Sequence, residues 1–307
     1  MCIRDSSAAL VAAGEVDMAM GGDQGGSLRM PASFCGIYGM KGTHGLVPYT
    51  GIMPIEIYVD HTGPMTNTVE DNALLLEVIA GEDGYDPRQY NVRTQRYTNA
   101  LDGKKGLKGM KIAVVKEGYQ QENAETDVNT KVRGAVKKLQ ALGAKVKEVS
   151  IPMHLLGAAL WVPIGVEGLT QTMMHGDGYG ISRPDLYVTS LMDKHRGWRQ
   201  RADEMSETTK LMTMLGTYIN KQHGSRYYGK AMNLTRLLTA AYDAVLADYD
   251  LLLMPTTPVK ATPLPGADAS REEYVQRALE MISNTAPFDI THHPACLLYT
   301  SPSPRDA

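Results

Sequence analysis

Apolar and polar residues recur along the chain with the periods of strands and helices in turn. The clearest unit spans residues 110–149, where MKIAVVK predicts a strand, residues 128–142 an amphipathic helix and residues 145–149 a second strand. A strand, helix, strand order of this kind needs a crossover connection and favours parallel pairing. The pattern therefore predicts an α/β fold with a largely parallel sheet covered by helices.

Further elements flank this unit on both sides. Residues 8–13 predict a short helix, 16–20 a strand, and 67–80 a helix in which a threonine cap precedes apolar residues at helical spacing. Helical runs follow at 203–216 and 233–247, and an apolar strand at 251–254.

Residues 152–229 depart from this alternation, and we predict that they form an inserted helical cap over the sheet. Within this stretch, HGDGYG (175–180) and RYYGKA (226–231) carry aromatic and polar groups. Loops of this composition often form the rim of a pocket. Simple turns between cap helices are the alternative interpretation.

Composition narrows the class of protein. The net charge is −3, with acidic and basic residues mixed throughout, so we expect neither a nucleic-acid nor a membrane partner. No long apolar run suggests a membrane span. Of the three cysteines, Cys2 and Cys296 lie in the atypical ends of the chain, so that Cys35 is the one remaining cysteine and no disulfide framework is expected. This favours a reducing compartment and a cytoplasmic protein. No HExxH motif or paired Cys/His spacing occurs, so we expect neither a metal nor another cofactor.

The stretch GGDQGGSLRMPASFCG (21–36) carries the candidate chemistry, because it presents Ser27 behind two glycine pairs. Glycines allow successive N–H groups to converge on one point, as in an oxyanion hole. A phosphate-binding loop would need a lysine where Gly26 stands, and a dinucleotide fingerprint would need GxGxxG. On spacing alone, a glycine-rich turn without chemistry is an equally good interpretation.

This stretch, followed by YGMKGTHGLVPYTG, resembles the signature segment of the amidase signature family of serine hydrolases. The segments DHTGPMTNTVEDNALLLEVIAGEDGYDPRQ and MISNTAPFDITHHPA resemble later parts of the same family. Within the family, GDQGGS, HGDGYG and RYYGKA are more similar to bacterial enantioselective acylamide amidases than to tRNA-dependent amidotransferase A subunits. The resemblance implies one α/β domain with a mixed, mostly parallel central sheet covered by helices on both faces.

The resemblance also implies a reaction and roles for residues. Ser27 would attack the carbonyl of a small-molecule amide, and the N–H groups around Gln24, Gly25 and Gly26 would hold the oxyanion. Water would then cleave the acyl-enzyme after ammonia leaves. Asp23 and Arg29 flank the loop and could support it as an ion pair, or stand as two separately solvated charges. A homodimer is plausible on the same resemblance. The alternatives are a fragment without catalysis and an amidotransferase A subunit.

Both ends of the chain differ from the rest. MCIRDS and CLLYTSPSPRDA are consistent with one sequencing adapter translated from opposite strands, so we expect residues 1–6 and 296–307 to be artefact and 7–295 to be a partial amidase domain. The family pattern places its bridging serine on Ile3 and its lysine upstream. On this basis we expect the parent enzyme to hydrolyse amides and the chain as written to be inactive.

Other bases for Ser27 are conceivable from the sequence alone. Lys41 lies near the loop, but a lysine beside a turn is usually solvated. A Ser-His-Asp triad could draw on any of eight histidines, with Asp60 or Asp289 as partner, yet no GxSxG surrounds Ser27. Cys35 is expected to be a packing residue.

Overall fold

The computed structural model describes residues 5–101, 106–266 and 268–297, with seven strands and ten α-helices in those ranges. The strands are β1 (Met18–Asp23), β2 (Tyr38–Lys41), β3 (His61–Thr66), β4 (Lys111–Val115), β5 (Lys145–Val149), β6 (Leu251–Leu253) and β7 (Ala295–Leu297). The helices are α1 (Asp5–Ala13), α2 (Arg29–Cys35), α3 (Val69–Ile79), α4 (Thr126–Ala141), α5 (Gly157–Gly168), α6 (Thr189–His195), α7 (Glu207–His223), α8 (Arg226–Leu246), α9 (Arg271–Leu279) and α10 (Ala286–Ile290).

The predicted strand, helix, strand unit is confirmed as β4, α4 and β5. β4 is the centre of a three-stranded parallel sheet in the order β5-β4-β6, and Ile112 of β4 pairs with Val146 and Leu251. All of β4 except Lys111 is buried, as expected for a strand between two parallel neighbours. The predicted helix over 67–80 is also confirmed as α3, with the Thr68 hydroxyl accepting a hydrogen bond from the Asp71 N–H at 3.0 Å.

The predicted α/β class, with a mixed set of parallel and antiparallel strands, is confirmed, and the strands outside the parallel sheet pair differently. They form a second, antiparallel sheet in the order β1-β3-β2-β7. β1 and β2 run in the same direction and are joined through α2, as in a parallel crossover. β3 inserts between them and pairs antiparallel with both. The insertion of β3 between β1 and β2 therefore makes this sheet antiparallel. The sequences of β1 and β2 alone do not indicate this pairing.

Glycines let the loop after β1 lie close to the antiparallel sheet. A Cβ atom built on Gly21, Gly39 or Gly63, one from each of three neighbouring strands, would lie within 3.3 Å of the Leu28 side chain. Leu28, which precedes α2, is completely buried on this row of glycines. Alternate residues of a strand share a face, so the next positions on this face of the sheet are charged or polar. These positions are occupied by Asp23, His61 and Lys41.

Most of the region predicted as a cap is helical and joins the main core. Trp161 and Ile164 of α5 pack in one cluster with Tyr242 of α8 and Phe288 of α10. The RYYGKA segment lies inside α8, so the prediction of a loop there is wrong. Its Tyr228 hydroxyl donates to Glu56 Oε1 at 2.8 Å, a contact between distant segments that the local sequence does not reveal. A separate cap over 152–229 stays a prediction.

One helical run passes a length and composition test for a membrane span, although the sequence pattern suggested none. It covers Pro152–His175, and 56% of its most apolar window is buried inside the protein. The core helix of a soluble protein has the same properties, so the run is weak evidence for a membrane partner.

Candidate active site

The loop that carries Ser27 connects the end of β1 to the start of α2. Ser27 is half-buried, whereas Gly25 and Gly26 beside it are buried. Gly26 has φ +127°, a region that L side chains avoid, and a Cβ on it would lie 2.2 Å from Thr285 Oγ1. Glycine is therefore required at position 26 for two separate reasons.

Asp23 and Arg29 form a buried ion pair across this loop. The Arg29 Nε donates to Asp23 Oδ2 at 2.8 Å, and both side chains are almost completely shielded from solvent. The same guanidinium donates to Asp289 Oδ2 at 2.8 Å and to the Thr285 carbonyl at 3.0 Å. The alternative of two solvated charges is thus wrong, and α10 contributes a second carboxylate that the sequence pattern indicated only as a partner for histidine.

Burial and neighbouring charge act in opposite directions on the two carboxylates. Burial alone would raise the pKa of Asp23, but the charge and hydrogen bonds of Arg29 and the charge of Lys41 outweigh it and lower the pKa. Burial raises the pKa of Asp289 well above its usual value, and the charge of Asp23 adds to this. Arg29 and Lys41 thus favour the charged form of the Asp23 carboxyl, whereas burial disfavours the charged form of Asp289.

Lys41 is buried, which contradicts the expectation of a solvated side chain. It is completely inaccessible on the inner face of β2, and its Nζ donates to the Gly42 carbonyl at 3.0 Å. Burial, helped by the charge of Arg29, lowers the pKa of Lys41 to about 7 against the opposing effect of the Asp289 and Asp23 charges. A lysine in this state is a candidate base at neutral pH.

The N–H groups predicted to form the oxyanion hole have different environments. The Gly26 N–H donates to Asp23 Oδ1 at 2.6 Å, so it already has an acceptor inside the protein. Within the ranges that the structure describes, the N–H groups of Gln24 and Gly25 have no such acceptor. The resemblance implied that the N–H groups around Gln24, Gly25 and Gly26 hold the oxyanion, and the Asp23 carboxylate already accepts a hydrogen bond from that of Gly26.

The carbonyls of the same loop are also held. Trp161 Nε1 donates to the Gln24 carbonyl at 2.5 Å, and Thr285 Oγ1 donates to the Gly25 carbonyl at 2.7 Å. The Gln24 side chain donates to the Tyr49 hydroxyl at 2.8 Å. Sequence reasoning missed Trp161, Thr285 and Tyr49 as site residues. Thr285 lies in the NTAPF motif, which was a usable signal, whereas a tryptophan in an apolar helix gives none.

Tyr49 also borders a cavity of about 50 Å³ next to the loop. Asp177 and Gly178 of the HGDGYG segment line it, so this segment lies at a pocket as predicted. Asp60 lines the same cavity. Burial raises the pKa of its carboxyl well above the usual value. Arginines on the cavity wall are paired with aspartates, Arg88 with Asp86 and Arg183 with Asp185.

Three of the candidate histidines gather around the main chain of residues 57–59, and one of them, His61, places its Nδ1 3.4 Å from Asp289 Oδ1. The rings of His44, His292 and His61 hydrogen-bond to three successive carbonyls, those of residues 57, 58 and 59, at 2.8–3.0 Å. His44 and His292 stack with ring centroids 4.0 Å apart. Burial lowers the pKa of all three rings, and the nearby charge of Lys41 lowers it further. Across the described part of the chain, no group of three or more His, Cys, Asp or Glu side chains is arranged to hold a metal ion.

The family model for amidases matches residues 6–305 of this chain. The chain belongs to the amidase family. The match extends into the predicted adapter at 296–307, and the structure places Cys296 and Leu297 in β7. The adapter origin of both ends stays a prediction, and residues 1–4 and 298–307 lie outside the described ranges.

Curated and solved amidase relatives agree with this assignment. The enantioselective amidase of Rhodococcus rhodochrous is 44% identical over 292 residues, which are 94% of this chain and 56% of the relative. The glutamyl-tRNA(Gln) amidotransferase A subunit of Exiguobacterium sibiricum is 40% identical over 258 residues, 83% of this chain and 52% of the relative. The crystal structure of the corresponding A subunit from Thermotoga maritima has a TM-score of 0.73 at 32% identity and covers 94% of this chain and 56% of its own. The chain thus spans about half the length of the relatives it matches.

Proposed function

We propose that the protein containing this chain hydrolyses carboxylic acid amides to the acid and ammonia through an acyl-enzyme on Ser27. The observation that carries the proposal is a half-buried serine on a turn whose preceding N–H groups, those of Gln24 and Gly25, have no acceptor among the described residues. The buried pair of Asp23 and Arg29 keeps that turn in one conformation.

The chemistry follows from these positions. The Ser27 Oγ adds to the amide carbonyl carbon, and the carbonyl oxygen takes the electron pair as an oxyanion next to the free N–H groups. The tetrahedral intermediate collapses when the leaving nitrogen is protonated, and ammonia departs. A water molecule then adds to the ester on Ser27 and releases the acid.

Two candidates exist for the base that takes the Ser27 proton. Family resemblance implies a bridging serine and a lysine, which its pattern places ahead of Ser7. Lys41 is the other candidate, because it is the one completely buried lysine in the described ranges and its pKa is lowered to about 7. We assign the base to the family lysine, and Lys41 to the charge balance beneath the loop.

Small aliphatic or aromatic amides are the proposed substrates, since the relative with 44% identity is named an enantioselective amidase. The second candidate is an amidotransferase A subunit, favoured by relatives at 37–40% identity with that name. Such a protein would need partner subunits and tRNA for activity. We also propose that the enzyme acts in the cytoplasm and forms a homodimer.

The test uses the complete gene product and the 307-residue chain side by side, each with Ser27 and with Ser27→Ala. We expect the complete protein to release ammonia from small amides without partners and to react with a fluorophosphonate probe, and we expect Ser27→Ala to lose both. Undiminished turnover by Ser27→Ala would refute the mechanism, and activity only with partner subunits and tRNA would favour the amidotransferase. The 307-residue chain is expected to be inactive, and turnover that depends on its Ser27 would overturn this expectation.

A further inference from the structure

Two consecutive carbonyl groups of the Ser27 loop are held by side chains from distant parts of the chain. Trp161 on α5 bonds to the Gln24 carbonyl, and Thr285, just before α10, bonds to the Gly25 carbonyl. The partners are separated by 137 and 260 positions in sequence.

Peptide geometry gives these contacts a consequence beyond packing. In a planar trans peptide, the C=O of one residue and the N–H of the next point in opposite directions. Among the described residues, every peptide bond is trans. Fixing the Gln24 carbonyl towards Trp161 therefore turns the Gly25 N–H to the opposite side of the loop. Fixing the Gly25 carbonyl towards Thr285 likewise turns the Gly26 N–H away, to where Asp23 Oδ1 accepts it at 2.6 Å.

Both side chains are also packed so tightly that they have little freedom to rotate. Trp161 is 9% exposed, and a Cβ on Gly25 would lie 2.9 Å from its ring. Thr285 is 1% exposed, touches Gly26, and offers its own carbonyl to Arg29 Nη1. The two donors are thus fixed relative to the loop by the core on one side and by the buried ion pair on the other.

We propose that Trp161 and Thr285 are positioning residues for the reaction at Ser27, and that they set the direction of the two peptide units ahead of it. Trp161 presents the Gly25 N–H to the carbonyl oxygen of the substrate. Thr285 commits the Gly26 N–H to Asp23 and so locks the turn. This inference rests on the proposed function, because it assigns the presented N–H to the oxyanion.

The first test compares Trp161→Phe with Trp198→Phe in the complete gene product. Trp198 is the matched control, since its Nε1 also donates to a main-chain carbonyl, that of Met174, at 2.7 Å. Loss of one oxyanion donor costs about 100- to 1000-fold in kcat, and a donor that is present but misdirected should cost less. We expect Trp161→Phe to lower kcat by about 10- to 100-fold with KM changed less than about threefold. Trp198→Phe should change neither parameter more than about twofold.

A second pair separates the hydroxyl from the shape of the side chain. Thr285→Val keeps the volume and removes the donor, whereas Thr285→Ser keeps the donor and removes a methyl group. We expect Thr285→Val to lower kcat by about tenfold and Thr285→Ser to keep most of it. The inference is overturned if Trp161→Phe and Thr285→Val lower kcat no more than Trp198→Phe and Thr285→Ser do.

A structural measurement keeps this test separate from that of the proposed function. Crystal structures of the 307-residue chain with Trp161→Phe and Thr285→Val should show the peptide units after Gln24 and Gly25 in altered or multiple orientations. Unchanged single orientations in both would overturn the inference, whether or not the protein hydrolyses amides. Persistent turnover by Ser27→Ala, in contrast, would remove the proposed function and leave this structural result intact.

Discussion

The two sheets of this protein bury different kinds of side chain. The parallel sheet has the apolar strand β4 at its centre, and residues Ile112 to Val115 of that strand are all buried. The antiparallel sheet buries Asp23, His61 and Lys41 in neighbouring strands and places Arg29 above them. Burial of apolar surface stabilises the first region directly. The second has to offset the desolvation of several charges with hydrogen bonds between them, and it is the region that carries Ser27.

This difference shows where the fold gives up stability for a fixed geometry. Sequences usually satisfy every local rule except at functional sites. Here the exception is the face of the antiparallel sheet that contacts Leu28. Two residues beyond the glycines of that face, each strand places a charged or polar side chain. The charged end fixes the Ser27 loop from below, which an apolar core of the same size could not do, since it offers no acceptor for the Gly26 N–H.

Among the predicted effects, removal of Arg29 should give the largest difference in stability between the two sheet regions. Arg29→Met leaves Asp23 and Asp289 buried without their shared donor, and breaking a buried pair in this way costs about 3–5 kcal/mol. The control is Arg133→Met beside the parallel sheet, where the ion pair with Glu148 at 3.5 Å is about half exposed. That change should cost about 1 kcal/mol or less. Urea unfolding of both variants measures the two free energies, and equal costs would contradict the contrast between the regions.

Glycine substitutions should give opposite signs in the two regions. Gly26→Ala forces a Cβ into a positive-φ conformation 2.2 Å from Thr285, and we expect it to lower the free energy of unfolding by about 2–3 kcal/mol. Gly134 lies within α4 beside the parallel sheet and has nothing within 4 Å of such a Cβ. Gly134→Ala should raise the free energy of unfolding by about 0.5–1 kcal/mol. Thermal denaturation of both variants gives the comparison, and stabilisation by Gly26→Ala would show that the loop is not constrained as described.

Lys41 should make a smaller contribution than these substitutions, visible in how the free energy of unfolding changes with pH. Burial lowers its pKa in the folded state to about 7 from an unfolded value of 10.5. Between these values the unfolded chain binds a proton on Lys41 that the folded chain does not, so the free energy of unfolding rises with pH. The slope is at most about 1.4 kcal/mol per pH unit.

Lys41→Met removes this group and should flatten the rise of the free energy of unfolding with pH. The contribution of Lys41 is obtained by subtracting the free energies of unfolding of the variant from those of the unmodified protein between pH 7 and 10. A difference that is constant over this range would mean that Lys41 stays charged in the folded protein. The lysine would then be a second buried cation beside the ion pair of Arg29 and Asp23.

Short-range sequence patterns predicted much of the fold. The unit of β4, α4 and β5 was predictable because its apolar residues repeat with the periods of a strand and a helix. The Thr68 cap of α3 was predictable because capping involves residues only three positions apart. The position of β3 between β1 and β2 was not, since either neighbour could pair with several strands of similar composition.

The sequence by itself determined that Ser27 follows glycines able to adopt special conformations, and it resembled a family in which that serine has a role. Only the tertiary structure decided that Lys41 is buried, that Asp289 accepts a hydrogen bond from Arg29, and that the Gly26 N–H is occupied. The physical reason is range. Backbone conformation depends on neighbours within a few residues, whereas burial, charge state and hydrogen-bond partners depend on segments that meet only when the chain has folded.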